Sequence, residues 1–244
     1  MGSASRGKPV TSPVDDIIAA AVSGDLPRVI ELLELDPTLA GMSNIFGSTA
    51  IHAAHYSGHT EIVKLLLAQS PPLDGFLAAE LGFTRVLTRW LEKHPTFATI
   101  RSAAGSTALH GACYWGSIEA ARLLLDHGAD VNAVTTDDFL QIQPLGCAVA
   151  TPDVPNPSQE EFTVLQLVDL LIDRGADINA QRRDGMTALH SAAHRGHLQV
   201  IRRLLEQGAD PNIRARDDAG AHAGQSPADT ALAQGHTAAA DLMV

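Results

Sequence analysis

The chain has 244 residues, 45% of them hydrophobic and only 4% aromatic, with a formal net charge of −11 at neutral pH. That apolar fraction is enough for a folded core and excludes a disordered chain, but the core must be built from Ala, Leu, Ile and Val. The acidic balance argues against non-specific attraction to nucleic acid or to an acidic membrane surface, where phosphate needs a basic face.

Two cysteines, Cys113 and Cys147, make no disulfide framework, and no apolar run approaches the length of a membrane span. Both features point to a reduced, cytoplasmic chain. Residues 1–13 are polar, lack an apolar signal core and read as a flexible tail. The Met1-Gly2 start fails the myristoylation pattern, because Arg6 stands where Ser or Thr is needed.

From residue 14 onward the apolar pattern predicts pairs of short helices. Across 14–44, Ile17, Ile18, Ala20 and Ala21, then Val29, Ile30, Leu32 and Leu33, recur at helical spacing on either side of Gly24. Asp36-Pro37 stops the second helix. Residues 45–74 repeat the pattern, with Ile51 and Ala54 before Gly58 and Ile62, Val63, Leu65, Leu66 and Leu67 after it. Residues 75–101 keep the two-helix spacing through Phe76, Leu77, Leu87, Trp90 and Leu91, about Gly82.

Residues 102–134 hold the cleanest unit. It opens with Gly105-Ser106-Thr107-Ala108-Leu109-His110 and closes with Gly128-Ala129-Asp130-Val131-Asn132-Ala133. Residues 135–181 are interrupted: Pro144-Leu145-Gly146 stands in the opening, and Ala150 to Glu161, with three prolines, reads as an inserted loop before a second helix over Phe162 to Arg174. Residues 182–214 are regular. Residues 215–244 form a terminal unit, with Ser226 as N-cap of a helix begun at Pro227.

The opening phrase recurs as Gly47-Ser48-Thr49-Ala50-Ile51-His52 and as Gly185-Met186-Thr187-Ala188-Leu189-His190. The closing phrase recurs as Gly175-Ala176-Asp177-Ile178-Asn179 and Gly208-Ala209-Asp210-Pro211-Asn212. A period of about 33 residues with these words resembles the ankyrin repeat, and bacterial ankyrin-repeat proteins in particular. The resemblance implies an all-α solenoid of helix-turn-helix units with short β-hairpin tips, a single domain over 14–244. A longer period also shows: a shift of 58 residues carries Gly24 onto Gly82, Leu33 onto Leu91, Ala40 onto Ala98, His52 onto His110 and Tyr56 onto Tyr114. The first two units therefore read as a pair that is duplicated in the next two.

The resemblance also implies where a partner sits: at the hairpin tips and beside the helix-helix glycine, along a concave groove. Those positions hold Ile45, Phe46, Ser48, Tyr56, Tyr114, Trp115, Arg183, Asp184, Met186, His194 and Arg195, with Phe139 in the fifth hairpin. Half of the ten aromatic residues fall on this one face, and large apolar groups exposed together mark a binding site. The implied function is a binding module for a protein, with no cofactor, no nucleic acid and no membrane. The alternative is a small-molecule enzyme with a pocket in the same groove, performing acid-base dehydration, isomerisation or cyclisation. His194, Tyr56, Tyr114, Asp184 and His55 are then the candidate catalytic groups.

The remaining histidines invite a metal reading. His190 and His194 lie four apart on a helix, a spacing zinc uses, but no third ligand follows at a set distance, so no metal is expected. At the family phrase, His52, His110 and His190 resemble backbone-bonded struts between neighbouring repeats. No nucleophile elbow, phosphate loop, dinucleotide fingerprint or Cys-x-x-Cys pair is present.

Overall fold

The computed structural model describes residues 12–137, 140–150 and 157–244, with side chains from residue 160 onward in the last stretch. Phe139, most of the predicted tail and residues 151–156 lie outside these. The chain divides into two compact units, one ending at Leu73 and one beginning at Asp74.

The first unit holds α1 (Pro13–Ser23), α2 (Leu26–Leu35), a 3-10 turn (Pro37–Gly41), α3 (Ala50–Tyr56) and α4 (Thr60–Ala68). α1 begins inside the predicted tail because Ser12 caps it, accepting the Asp15 N–H at 3.1 Å. α1 packs on α3 and α2 on α4, burying Ile17, Ala21, Val29, Ile51, Ala54 and Leu66. The His59 ring braces the two pairs, its Nε2 lying 3.1 Å from the carbonyl of Val22.

The second unit holds α5 (Gly75–Glu80), α6 (Thr84–Lys93), α7 (Ala108–Tyr114), α8 (Ile118–Asp126), α9 (Pro144–Val149), α10 (Pro157–Asp173), α11 (Ala188–Arg195), α12 (Leu198–Glu206), α13 (Pro227–Ala233) and α14 (Thr237–Ala240). α5, α7, α9, α11 and α13 stack in one row, and α6, α8, α10, α12 and α14 in a second. Each repeat packs on its neighbours, and one core runs between the rows. Ala112, Ala148 and Ala192 are fully buried on the first row, where small side chains let helices approach. Leu124, Leu171 and Leu204 fill the second.

The recurring closing phrase has a physical role. Asp130 caps its own turn by accepting the Asn132 N–H, while Asn132 reaches into the next repeat. Its side-chain amide donates to the Gly175 carbonyl at 3.0 Å and its oxygen accepts the Asp177 N–H at 2.8 Å. Asn179 repeats the same two bonds to Gly208 and Asp210. The loops are thus laced together one repeat to the next.

The shift of 58 residues is visible in the backbone. Short antiparallel bridges join Ser43 to Thr49 and Arg101 to Thr107. 3-10 turns at Pro37–Gly41 and Phe97–Thr99 replace the Asn-laced loop in both first and third repeats. The third repeat fills its core with aromatics: Phe76 packs edge-on against Phe97 at 4.9 Å between ring centroids, with Trp90 at 6.1 Å.

The insertion differs from its predicted form. α10 starts at Pro157, inside the predicted loop, and is the longest helix described, at 17 residues. Its start is fixed by Glu160, which is buried and accepts from Arg195 Nη1 at 2.8 Å, and by Glu161, which accepts the Gln199 N–H at 2.7 Å. Long-range charge pairing, not apolar periodicity, brings this segment into the helix.

Candidate functional site

Hairpin tips in the second unit are joined into a ledge by backbone hydrogen bonds. The Gly105 carbonyl accepts the Thr136 N–H at 3.2 Å, the Leu140 carbonyl accepts the Arg183 N–H at 2.8 Å, and the Asp184 carbonyl accepts the Arg216 N–H at 2.8 Å. This closeness requires glycine at 185: its φ is +80°, and a β-carbon there would stand 2.8 Å from the Arg216 nitrogen. Within the Arg182 hairpin, Asp184 accepts from Arg182 Nε at 2.8 Å and from the Met186 N–H at 3.0 Å. Burial alone would raise the Asp184 carboxyl, but these bonds and the Arg182 charge hold it below the ordinary range.

Two adjoining concavities open on either side of Arg182. One, of about 270 Å³, lies among the hairpin tips and is lined by Val134, Gln141, Gln181, Arg182, Arg183 and Arg216. The other, of about 240 Å³, lies over the first helix row and is lined by Arg182, Ser191, His194, Arg195 and His222. The rings of His194 and His222 face each other edge-on, 5.6 Å between centroids. Partial burial, then the neighbouring His222, Arg195, His236 and Arg182, lowers the His194 pKa. Arg195 enters this concavity already held by Glu160.

The predicted contact residues divide between the units. In the first, Ile45 and Phe46 are 93% and 83% exposed on a hairpin tip shaped by Asn44, whose side-chain oxygen accepts the N–H groups of Phe46 and Ser48. Tyr56 is exposed beside His52 and His55. His55 is half-buried, and burial first, then His52, pushes its pKa down to about 4.

In the second unit Tyr114 is exposed and meets Trp115 edge-on at 5.3 Å. Trp115 itself is half-buried, not open as the repeat pattern suggests. Met186 is only 3% exposed: its sulfur lies 2.9 Å from Arg182 Nη2, so it supports the wall of the site from beneath. Arg183 and His194 are exposed, while Asp184 and Arg195 are half-buried. Among the candidate acid-base groups, His194 lines the inner concavity, Asp184 is committed to Arg182, and Tyr114 packs on Trp115.

Sequence reasoning passed over His222, which lies outside the family phrase, and named neither Arg182 nor Arg216 as a contact residue. Their signal was available in register: Arg216 stands at the tip position that follows Arg183 by one repeat. Both cysteines are buried, and burial raises their thiols, Cys147 to about 12 and Cys113 well above its ordinary range, so neither is a nucleophile at neutral pH. Among the described residues no group of three His, Cys, Asp or Glu is placed to hold a metal, and no helix is long and apolar enough to cross a membrane.

At the family phrase the structure places struts. The Nδ1 of His110 accepts the Thr107 N–H at 3.2 Å, so the neutral ring carries its proton on Nε2. That atom donates to the carbonyls of Ala133 at 2.9 Å and Ile142 at 3.1 Å. His190 repeats the arrangement between Thr187 and the Gln225 carbonyl.

Comparison with known proteins agrees with this architecture. A family model described as "Ankyrin repeats (3 copies)" matches residues 17–135, and one described as "Ankyrin repeats (many copies)" matches residues 160–205 and 189–244. The B-cell lymphoma 3 protein homolog of Mus musculus is 33% identical over 187 residues, 72% of this chain and 39% of that protein. The Probable E3 ubiquitin-protein ligase XBOS31 of Oryza sativa subsp. japonica is 28% identical over 127 residues, 48% of this chain and 28% of that protein. The Serine/threonine-protein kinase TNNI3K of Mus musculus is 31% identical over 117 residues, 43% of this chain and 14% of that protein. The chain spans well under half the length of each of these relatives. The helix rows, laced loops and histidine struts, together with family matches over most of the sequence, show that the chain belongs to the ankyrin-repeat family and is a protein-interaction module.

Proposed function

We propose that the module holds its partner through the hairpin tips and the helices that follow them, within each unit. The contact groups are Ile45, Phe46, Ser48 and Tyr56 in the first unit, and Tyr114, Trp115, Arg183, Asp184, His194 and Arg195 in the second. The single observation that carries this reading is the exposure of large apolar side chains at these positions: 93% for Ile45, 83% for Phe46, 59% for Tyr56 and 38% for Tyr114. Leaving such groups in water costs free energy that a partner recovers by covering them. The concavities beside Arg182 are open to solvent, and openness favours recognition of a polypeptide over chemistry, which needs water excluded from the reacting groups.

The test is affinity capture with the purified chain as bait. Phe46→Ala with Tyr56→Ala, and separately Tyr114→Ala with Trp115→Ala, are expected to deplete the same captured proteins while circular dichroism stays unchanged. Capture that survives both pairs of substitutions rules the face out.

A further inference from the structure

α6 departs from the charge balance of the chain. The sequence carries 28 acids and 17 bases, yet α6 holds three bases, Arg85, Arg89 and Lys93, and one acid, Glu92. We propose that the outer face of α6 is a second docking surface, for an acidic amphipathic helix of a partner protein, with Arg85, Arg89 and Lys93 receiving its carboxylates. It is independent of the contact groups proposed above, which lie on the hairpin tips and the helices that follow them.

Three observations support it. The first is placement. The bases stand four residues apart, so they form one row along the helix at intervals of about 6 Å, on the side opposite the buried Leu87 and Leu91. All three are exposed, and among the described residues none of them forms an ion pair. Glu92 is exposed on the same face, and on the neighbouring α8 Glu119 pairs with Arg122 at 3.7 Å.

The second is that the helix forms without these bases. The shift of 58 residues carries α6 onto α2 residue for residue, and the places of Arg85, Arg89 and Lys93 are held there by Pro27, Glu31 and Leu35. Glu31 makes a local bridge to Arg28 at 2.7 Å, which α6 gives up. The third is that the row opposes the helix that carries it. Like charges four residues apart repel one another. Arg85 stands in the first turn, where the helix dipole favours an acid, and only Lys93, in the last turn, suits its place. A feature that breaks local preference without serving the fold points to function.

The geometry selects a helix as the occupant. Rows at four-residue spacing are the ridges by which helices pack on one another. A partner helix with acids every fourth residue repeats the interval and meets all three bases. Val86 and Trp90 run beside the row, each half-buried, and offer an apolar strip to the same helix. A nucleic acid backbone also presents closely spaced charge, but it is anionic along its whole length, and a chain of formal charge −11 repels whatever runs past the row. A helix can confine its acids to one short face.

The test is fluorescence anisotropy with the full chain and three labelled probes. These are an alanine-rich helical peptide with glutamate at every fourth position, its glutamine counterpart, and a single-stranded oligonucleotide. The glutamate peptide is expected to bind, to weaken as salt is raised, and to lose about tenfold or more in affinity in the triple variant Arg85→Gln/Arg89→Gln/Lys93→Gln. The glutamine peptide is expected to bind far more weakly. Glu92→Gln should tighten binding of the glutamate peptide, a gain that poor folding cannot mimic, and Tyr114→Ala/Trp115→Ala should leave it unchanged. The substituted positions are exposed, so the variants should fold, and circular dichroism checks this. Equal binding of the two peptides, indifference to the triple substitution, loss of binding in the aromatic variant, or row-dependent binding of the oligonucleotide but not of the glutamate peptide would overturn the proposal.

Discussion

His110 and His190 work only as neutral rings. Each Nδ1 accepts a backbone N–H, so protonation would set one N–H against another. Burial lowers both pKa values, opposed in part by the carbonyls that Nε2 faces, and burial lowers that of His55 to about 4. A folded pKa below the unfolded value of about 6.5 means stability that is complete above that pH and is lost as pH falls through the folded value. The melting temperature should therefore drop between about pH 7 and pH 4.5, ahead of any carboxylate effect, since Asp36, Asp184 and Asp229 are all held below their ordinary range. A His110→Gln variant should show a lower midpoint and a shallower slope. A melting temperature that is flat or rising over that window would contradict the strut assignment. The struts were legible in the sequence because Thr and His sit three apart in a recurring phrase. The half-burial of Trp115 was not, because repeat spacing assigns a side chain to a face without saying how far neighbours cover it.

At the scale of elements, the paired helices were readable from glycine and proline positions. Turns with positive φ admit few other residues, so they mark the helix junctions directly, as at Gly24 and Gly82. The start of α10 was not readable. Prolines and absent apolar spacing suggested a loop through Glu161, but Pro157 suits a first helical turn, and Glu160 finds its partner Arg195 35 residues away. Pairings at that separation leave no local pattern. The Asn lacing makes a sharper claim. Asn179→Ala removes two bonds into the next repeat while touching no core side chain, and should cost about 1–2 kcal/mol, measured by urea unfolding. Asn44 is not a matched control, because its amide donates to Asp15 in α1 at 3.4 Å while its oxygen shapes its own hairpin tip. Equal unfolding midpoints for Asn179→Ala and the parent chain would remove the lacing from the list of stabilising contacts.

On the scale of the whole molecule, stability and recognition are assigned to different surfaces. Buried Leu and Ala carry the first, and the proposed reading gives the second to exposed side chains at the repeat tips. Composition and period revealed the solenoid. The meeting of Arg182, Arg183 and Arg216 around one concavity was not evident, because acids stand among them in sequence and only folding shows which residues share a surface. The most direct measurement compares Leu124→Ala with Tyr114→Ala/Trp115→Ala in thermal unfolding and in affinity capture. Leu124 is fully buried, so its truncation should cost about 2–5 kcal/mol while leaving capture intact at temperatures where the chain stays folded. The aromatic pair should cost about 1–2 kcal/mol, because Trp115 is half-covered, and should abolish capture. If the aromatic pair melts the protein as severely as Leu124→Ala, these side chains belong to the core, and if capture persists without it, they take no part in holding the partner; either result contradicts the account.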